Sequence, residues 1–150
     1  MATPQGKNGQ EKSSMNDRIF IDSNILIYTI DDAELQKQTT ANSIVENLAE
    51  KGGVISTQVL QEFYNVAVKK LKLPKEYVKE LIEPLADCFT VHKNSVADIL
   101  RAIDISIKTK FSFWDSLIIS AAISENCNRL YSEDLNHGQI VDNILILNPL

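Results

Sequence analysis

Short apolar runs alternate with helix-length amphipathic stretches from residue 19 onward, and this alternation is the main structural signal in the chain. The short runs, composed mostly of Ile, Val, Leu and Phe, predict buried strands at 19–21, 54–56, 89–91, 129–132 and 144–147. The stretches between them predict helices at 23–30, 33–51, 58–71, 95–108 and 113–126, with a further helix that opens at Pro74. Apolar strands separated by helices are typical of a parallel sheet covered on both faces. The pattern therefore predicts an α/β domain whose ligand site lies outside the carboxyl ends of its strands.

The composition fits one domain of ordinary kind. The chain has 150 residues, 44% of them hydrophobic and 23% charged, which argues against intrinsic disorder. Residues 1–14 are rich in Gly, Gln, Ser and Lys and predict a disordered leader or an expression remnant, so the domain is expected to span 15–150. No apolar run approaches the roughly 18 residues of a membrane-spanning helix. Cys88 and Cys127 lack a C-x-x-C spacing, which suits a reduced cytoplasmic protein.

Four acidic residues occupy positions that solvation alone does not explain. Asp22 directly follows the first predicted strand and Asp134 lies two residues beyond the fourth, so both are expected at the edge of the sheet where the ligand site lies. Glu62 and Asp115 each lie at helical spacing from several apolar residues, which places both on predicted core-facing stripes. Because a buried carboxylate is costly unless it is paired or bound to a cation, these acids predict a shared compensating partner.

A hard divalent cation is the partner that the residue types favour. None of the three arginines lies near Glu62 or Asp115 in the sequence. Oxygen-rich sites without Cys or His are typical of Mg²⁺ or Mn²⁺. Two such ions roughly 4 Å apart would activate a water and stabilise the leaving oxygen in phosphodiester cleavage. The net charge of −5 argues at first against a nucleic-acid binder, but two bound ions would cancel most of it.

The acids lie in four short motifs, which are Asp22-Ser-Asn24 after a buried strand, Gln58-Val-Leu-Gln-Glu62-Phe, Phe113-Trp-Asp115-Ser-Leu-Ile and Ser132-Glu-Asp134. In this order the motifs resemble those of PIN-domain ribonucleases, with the closest likeness to VapC-type toxins of toxin–antitoxin pairs. The resemblance spans about residues 17–150. Each motif is weak alone, and their placement on strand, helix, helix and strand makes the combination specific.

The resemblance implies a three-layer α/β/α fold with a five-stranded parallel sheet and a metal-dependent endoribonuclease that uses Mg²⁺ or Mn²⁺. It assigns metal binding and catalysis to Asp22, Glu62, Asp115 and the more variable Asp134. Two polar residues match orienting positions of the family, namely Asn24, beside the first aspartate, and Ser132, the hydroxyl before the fourth acid. It further implies a homodimer and, for a toxin, a small antitoxin protein that occludes the site.

Glu133 is a competing ligand beside Asp134. Alternation along the end of a strand favours Asp134, because Glu133 is expected to point the other way. Lys108 and Lys110, close before Asp115, are candidates for contact with the backbone of an RNA substrate. Trp114 is interpreted as a core or interface anchor.

Simpler interpretations compete with these assignments. Asp22 is also a good helix N-cap, and Asp115 suits the first turn of a helix. Glu62 is alternatively a partly exposed residue, Asp134 a loop residue, and Asn24 a local turn-forming residue. His92 and His137 show no metal-ligand spacing and are interpreted as ordinary surface residues.

Two rival functions follow from the same residues. One is a catalytically inert PIN-like domain that binds RNA or protein. The other is an aspartyl-phosphate phosphohydrolase with Asp22 as the nucleophile, although such enzymes normally carry a second acid two residues on and this chain has Asn24 there.

Overall fold

The computed structural model describes residues 16–150, so the predicted leader at 1–14 lies outside the described residues. Within them the chain forms six helices, α1 (Ser23–Tyr28), α2 (Leu35–Lys51), α3 (Thr57–Lys69), α4 (Lys75–Cys88), α5 (Val96–Lys108) and α6 (Phe113–Ser124). It also forms six strands, β1 (Ile19–Ile21), β2 (Val54–Ser56), β3 (Thr90–His92), β4 (Arg129–Tyr131), β5 (Ile140–Val141) and β6 (Ile144–Leu147). None of these helices is long and apolar enough to cross a membrane.

The sheet has the strand order β3-β2-β1-β4-β6-β5. Its first five members pair in parallel, as predicted, and the predicted α/β architecture is confirmed. The prediction of five strands was wrong by one, because the short β5 pairs antiparallel with β6. Asp142 and Asn143 connect these two strands with φ angles of 47° and 70°, a left-handed pair that a two-residue hairpin turn requires.

Capping residues in the sequence set where the helices begin and end. Ser56 and Ser112 accept hydrogen bonds from the third backbone N–H of α3 and α6 respectively, which satisfies a donor that the helix itself leaves open. Gly52 adopts a φ of 95° at the end of α2, a conformation that favours glycine. An added Cβ at Gly53 would lie 2.8 Å from the Phe89 ring, so the core requires the residue directly before β2 to be small.

The direction of chain travel changes at the middle of the sheet. From β1 the chain moves to one side through β2 and β3, and it later returns to the other side of β1 as β4 and β6. The interiors of β1 and β4, with Phe20, Ile21 and Leu130 fully buried, anchor this junction in the hydrophobic core. In open α/β sheets, ligands bind outside the carboxyl ends of the strands where the order reverses. The end of β1 and the end of β4 therefore mark the expected site.

Candidate active site

Asp22 lies at the carboxyl end of β1 and is the N-cap of α1. Its carboxylate is 5% exposed and accepts three hydrogen bonds: from the Ser23 backbone N–H at 2.7 Å, the Ser132 hydroxyl at 2.8 Å and the Asn24 side-chain amide at 3.3 Å. Ser132 follows β4, so the two adjacent strands meet at this acid. The capping interpretation and the site interpretation thus describe the same side chain.

The pKa of Asp22 is raised from its ordinary value to about 7. Burial is the main cause, because the low-dielectric interior disfavours the charged carboxylate. The hydrogen bonds from Ser132 and Ser23 act in the opposite direction, while the negative charges of Glu62 and Asp134 raise the pKa further. A carboxylate whose pKa is raised mainly by burial is a group that a bound cation would stabilise in its charged form.

Glu62 lies in the second turn of α3 and is half-buried. Each of its carboxylate oxygens accepts one hydrogen bond, Oε1 from the Ser23 hydroxyl at 2.9 Å and Oε2 from the Gln58 side-chain amide at 2.9 Å. These contacts fix the carboxylate against α1, the helix that Asp22 caps. The partial exposure agrees with the simpler interpretation of Glu62, yet its contacts direct the carboxylate toward the end of β1.

Asp115 is the third residue of α6 and is also half-buried. Ile118, Ile119 and Ala122 behind it are buried, as the helical spacing predicts, whereas Asp115 itself lies at the rim of that stripe. Burial raises its pKa, the Ser112 hydroxyl opposes this, and the charges of Asp134 and Glu62 add to the rise.

The four acids therefore form one electrostatic cluster, which we call the acidic cluster: Asp22, Glu62, Asp115 and Asp134. Asp22 and Asp115, on different elements, both respond to the charges of the other two. Elsewhere in the described chain, four acids lie within 3.1 Å of a Lys, Arg or His nitrogen, namely Asp17, Asp98, Glu125 and Glu133. No such ion pair reaches the acidic cluster within residues 16–150.

The donor set of the acidic cluster fits a hard divalent cation, since it consists of carboxylate oxygens with serine and asparagine groups beside them. In the part of the chain that the structure describes, no three His, Cys, Asp or Glu side chains converge closely enough to form a preassembled metal site. Carboxylates repel one another, so a cation would have to draw these side chains inward.

Glu133 and Asp134 are directed to different partners. The Glu133 carboxylate accepts hydrogen bonds from Lys37 at 2.6 Å and from the Tyr28 hydroxyl at 2.7 Å, on α2 and α1. The Asp134 carboxylate instead accepts one from the Asn24 amide at 3.1 Å, the amide that also contacts Asp22. The structure thus places Asp134, as strand alternation predicts, beside Asp22.

Asn24 connects the two strand ends of the site. Its amide nitrogen donates to Asp22, Asp134 and the Ser132 hydroxyl, and its carbonyl oxygen accepts from the Glu133 backbone N–H at 3.1 Å. The structure therefore gives Asn24 long-range contacts in addition to a local one with Asp22.

Lys108 and Lys110 are exposed, and no hydrogen bond or ion pair joins either to the acidic cluster. Trp114, directly before Asp115, is 62% exposed and is therefore not a core residue. It lines a groove of about 800 Å³ with Tyr64 and Ile82, and Glu62 lies at the same groove. We call this the α3–α4 groove.

Sequence reasoning missed the residues that hold the acids in place: Ser23, Gln58, Tyr28 and Lys37. Gln58 carried a usable signal, because it lies one helical turn before Glu62 on the same face of α3. Lys37 and Tyr28 carried none, since they lie 96 and 105 positions from Glu133 in the sequence.

The interpretation of His92 as a surface residue was wrong. Its side chain is 13% exposed and lies between two carboxylates, with Nε2 at 2.7 Å from Asp98 and Nδ1 at 2.8 Å from Glu125. Asp98 belongs to the capping box of α5, and Glu125 caps the end of α6. This cluster lies at the carboxyl end of β3 and includes none of the four acids of the acidic cluster.

The family model of the PIN domain matches residues 19–142 of this chain. The chain belongs to the PIN-domain family. The match includes the whole acidic cluster as well as β1 and β4, and membership implies a nuclease. A comparison with curated protein sequences finds no significant match.

Solved structures similar to this PIN domain include toxins of toxin–antitoxin systems. VapC20 of Mycobacterium tuberculosis, a toxin that cleaves the sarcin–ricin loop, is 16% identical with a TM-score of 0.61, covering 77% of this chain and 89% of its own. VapBC2 of Rickettsia felis, bound to a DNA fragment from its promoter, is 20% identical with a TM-score of 0.62, and the match covers 85% of this chain and 96% of the Rickettsia chain. DNA-bound VapBC of Salmonella typhimurium is 18% identical with a TM-score of 0.64, and the match covers 89% of this chain and 99% of the Salmonella chain. At these identities the likeness establishes the shared fold.

Proposed function

We propose that this PIN domain is a metal-dependent endoribonuclease that hydrolyses RNA phosphodiester bonds with a metal-activated water. The observation that carries the proposal is the acidic cluster, whose four carboxylates have no Lys, Arg or His partner within residues 16–150 and include a buried aspartate with a pKa of about 7. Membership of a nuclease family and the position at the reversal point of the sheet support the same conclusion.

The four carboxylates are the proposed ligands of Mg²⁺ or Mn²⁺. When bound there, the cation supplies an acidified water and neutralises charge on the scissile phosphate. Ser132 and Asn24 hold the Asp22 carboxylate by hydrogen bonds, and Ser23 holds that of Glu62. Asn24 also holds Asp134, which links the ends of β1 and β4. These four contacts keep the acids oriented before substrate binds.

Lys108 and Lys110 are proposed to contact the phosphate backbone of the RNA. Both are exposed, and both precede α6, the helix whose first turn carries Asp115. An RNA segment that passes these lysines would reach the acidic cluster at the amino end of α6, where backbone N–H groups favour anions. Such a nuclease would meet its substrate in the cytoplasm.

A small antitoxin protein is the proposed regulatory partner. The likeness to VapBC structures supports a toxin role for this chain. The α3–α4 groove offers the surface for it, because Trp114, Tyr64 and Ile82 line it beside Glu62. An antitoxin segment with apolar side chains in this groove would cover one side of the acidic cluster and block access of RNA.

A second copy of the chain is the proposed occupant of the outer face of α5. Val96, Leu100, Ile103 and Ile107 form an apolar row there, between 42% and 75% exposed, which we call the α5 stripe. None of the four belongs to the acidic cluster, so pairing of two copies through this stripe would not use the proposed metal ligands.

The two rival functions are less well supported. A phosphohydrolase of this kind needs a second acid two residues after the nucleophile. This chain has Asn24 at that position, and the Asn24 side-chain amide donates a hydrogen bond to the Asp22 carboxylate. An inert binding domain gives no reason for four neighbouring acids that have no cationic partner in the described part of the chain. RNA binding without cleavage in Mg²⁺ or Mn²⁺ would favour the inert domain.

The test is cleavage of a mixed RNA pool by the wild-type protein and by Asp22→Asn and Asp115→Asn variants, with and without EDTA. We expect cleavage in Mn²⁺ or Mg²⁺, loss of cleavage in EDTA, and a loss of at least about 100-fold in each variant. Asp87→Asn, at an exposed acid on α4, is the matched control and should cleave normally. Full activity in either site variant, or cleavage that EDTA does not affect, would contradict the proposal.

A further inference from the structure

Gln58 is a buried polar residue whose role the acidic cluster does not by itself explain. It lies in the first turn of α3 with 4% of its surface exposed. Its side-chain nitrogen donates to Glu62 Oε2 at 2.9 Å and to the backbone carbonyl of Trp114 at 3.1 Å. Trp114 directly precedes Asp115, so one amide group bridges the helix that carries Glu62 and the helix that carries Asp115.

The two partners fix the orientation of this amide. Both are oxygen acceptors, and only the NH₂ end of a glutamine can donate to both. Rotation of the amide by 180° would place its oxygen against a carboxylate and a carbonyl. The cost of the observed orientation is that Gln58 Oε1 is buried with no hydrogen-bond partner among residues 16–150. A buried unpaired oxygen lowers the stability of the fold. The observed orientation of the Gln58 amide therefore holds the Glu62 carboxylate in place at some cost in stability.

We infer that Gln58 is a positioning residue that acts through Glu62, setting the spacing between the Glu62 and Asp115 carboxylates around the cation. The inference rests on the proposed function. Gln58 touches neither substrate nor metal in this role. It orients one proposed ligand and ties it to the main chain beside another, as residues outside the ligand shell of metal sites commonly do.

The experiment compares Gln58→Leu with Gln61→Leu in the full chain. Gln61 lies on the same helix but is exposed, so its substitution controls for the loss of a glutamine from α3. Free Mn²⁺ is measured by electron paramagnetic resonance to obtain the dissociation constant of the metal, and RNA cleavage gives kcat and KM. Thermal unfolding without metal shows whether each variant is folded, and Gln58→Met replaces Gln58→Leu where leucine does not fold.

For Gln58→Leu we expect a Mn²⁺ dissociation constant about 10-fold higher and a similar fall in kcat, with KM for RNA within about threefold of the wild-type value. Gln61→Leu should match the wild type in all three quantities. A second comparison combines Gln58→Leu with Glu62→Gln. Because Gln58 acts through Glu62, adding Gln58→Leu to that variant should weaken Mn²⁺ binding no further.

Wild-type Mn²⁺ affinity in Gln58→Leu, or fully additive effects with Glu62→Gln, would overturn the inference. The outcome is separate from that of the proposed function. A wild-type protein that binds Mn²⁺ but cleaves no RNA contradicts the nuclease proposal, and the Mn²⁺ affinities of the variants still decide the role of Gln58.

Discussion

At the scale of single residues, the adjacent acids Glu133 and Asp134 have opposite surroundings. Burial alone would raise the pKa of the Glu133 carboxyl, but the hydrogen bonds from Lys37 and Tyr28 and the charge of Lys37 together hold it below its ordinary value. The same hydrogen bond to Glu133 raises the pKa of Lys37. Glu133 is thus already paired with a cation, whereas Asp134 shares Asn24 with Asp22. Mutation of Glu133 would therefore remove an ion pair, whereas mutation of Asp134 would remove a carboxylate from the acidic cluster.

Substitution separates these roles. We expect Asp134→Asn to lower kcat for RNA cleavage by about 10-fold or more, because it removes a charge from the acidic cluster. Glu133→Gln should keep most of the activity, since its carboxylate is directed away from that cluster. The measurement is kcat in saturating Mn²⁺ for both variants. A larger loss of kcat in Glu133→Gln than in Asp134→Asn would reverse the assignment of the fourth acid.

Sequence reasoning reached the residues whose position follows from a rule of the fold. Asp22 and Asp134 could be predicted because the carboxyl ends of neighbouring parallel strands meet at one edge of the sheet. The half-buried state of Asp115 could not, because periodicity gives the face of a helix but not how deeply its first turn is covered. The same limit applies to Lys37, whose contact with Glu133 depends on how α2 packs beside the end of β4.

At the scale of elements, His92 joins three of them. It lies at the end of β3 and contacts Asp98 on α5 and Glu125 at the end of α6. The charged groups around it complete the cluster, since Arg18 pairs with Glu125 and Arg101 with Asp98, while the Ser124 hydroxyl donates to Asp98. Burial alone would lower the pKa of His92, but its two carboxylate partners raise it above the ordinary value.

A raised histidine pKa gives a pH dependence of definite sign. The folded state holds the His92 proton more tightly than the unfolded state, so this stabilisation is complete below the unfolded pKa of 6.5 and is lost as pH rises through the higher folded pKa. We expect the unfolding free energy of the metal-free wild type to exceed that of His92→Gln by about 1–2 kcal/mol near pH 5.5 and by less at pH 8.5.

Urea unfolding of both proteins at a series of pH values gives this difference. Asp22 also has a raised pKa, so it too makes the fold less stable as pH rises from 3.8 through about 7. Both proteins retain Asp22, so its contribution cancels in the difference between them. A difference that stays constant from pH 5.5 to 8.5 would show that folding does not raise the pKa of His92.

The bounds of a strand could be predicted where every residue of the strand is apolar or buried. β1 and β2 are three-residue strands with every residue buried, and both were found at their predicted bounds. β5 was missed because it contains only Ile140 and Val141, of which Ile140 is 66% exposed, and two residues carry no periodicity.

At the scale of the whole molecule, the α5 stripe is an apolar surface with a two-fold pattern. Its members Val96, Leu100, Ile103 and Ile107 follow each other at intervals of four, three and four residues, so the row reads the same in both directions. Two copies of α5 packed antiparallel across a two-fold axis would therefore set Val96 against Ile107 and Leu100 against Ile103, twice over. A self-complementary patch of this kind is what a symmetric dimer requires.

A charge in the middle of the stripe should separate the two copies. In Leu100→Glu the new carboxylate enters a two-fold interface twice, so we expect the dimer dissociation constant to rise by at least about 100-fold. The fold should be unaffected, because Leu100 is 59% exposed in the single chain. Ile140→Glu is the matched control, since Ile140 is a comparably exposed aliphatic residue on β5, away from α5. Sedimentation equilibrium of wild type and both variants gives the measurement, and a Leu100→Glu protein that dimerises like Ile140→Glu would show that a second copy does not cover α5.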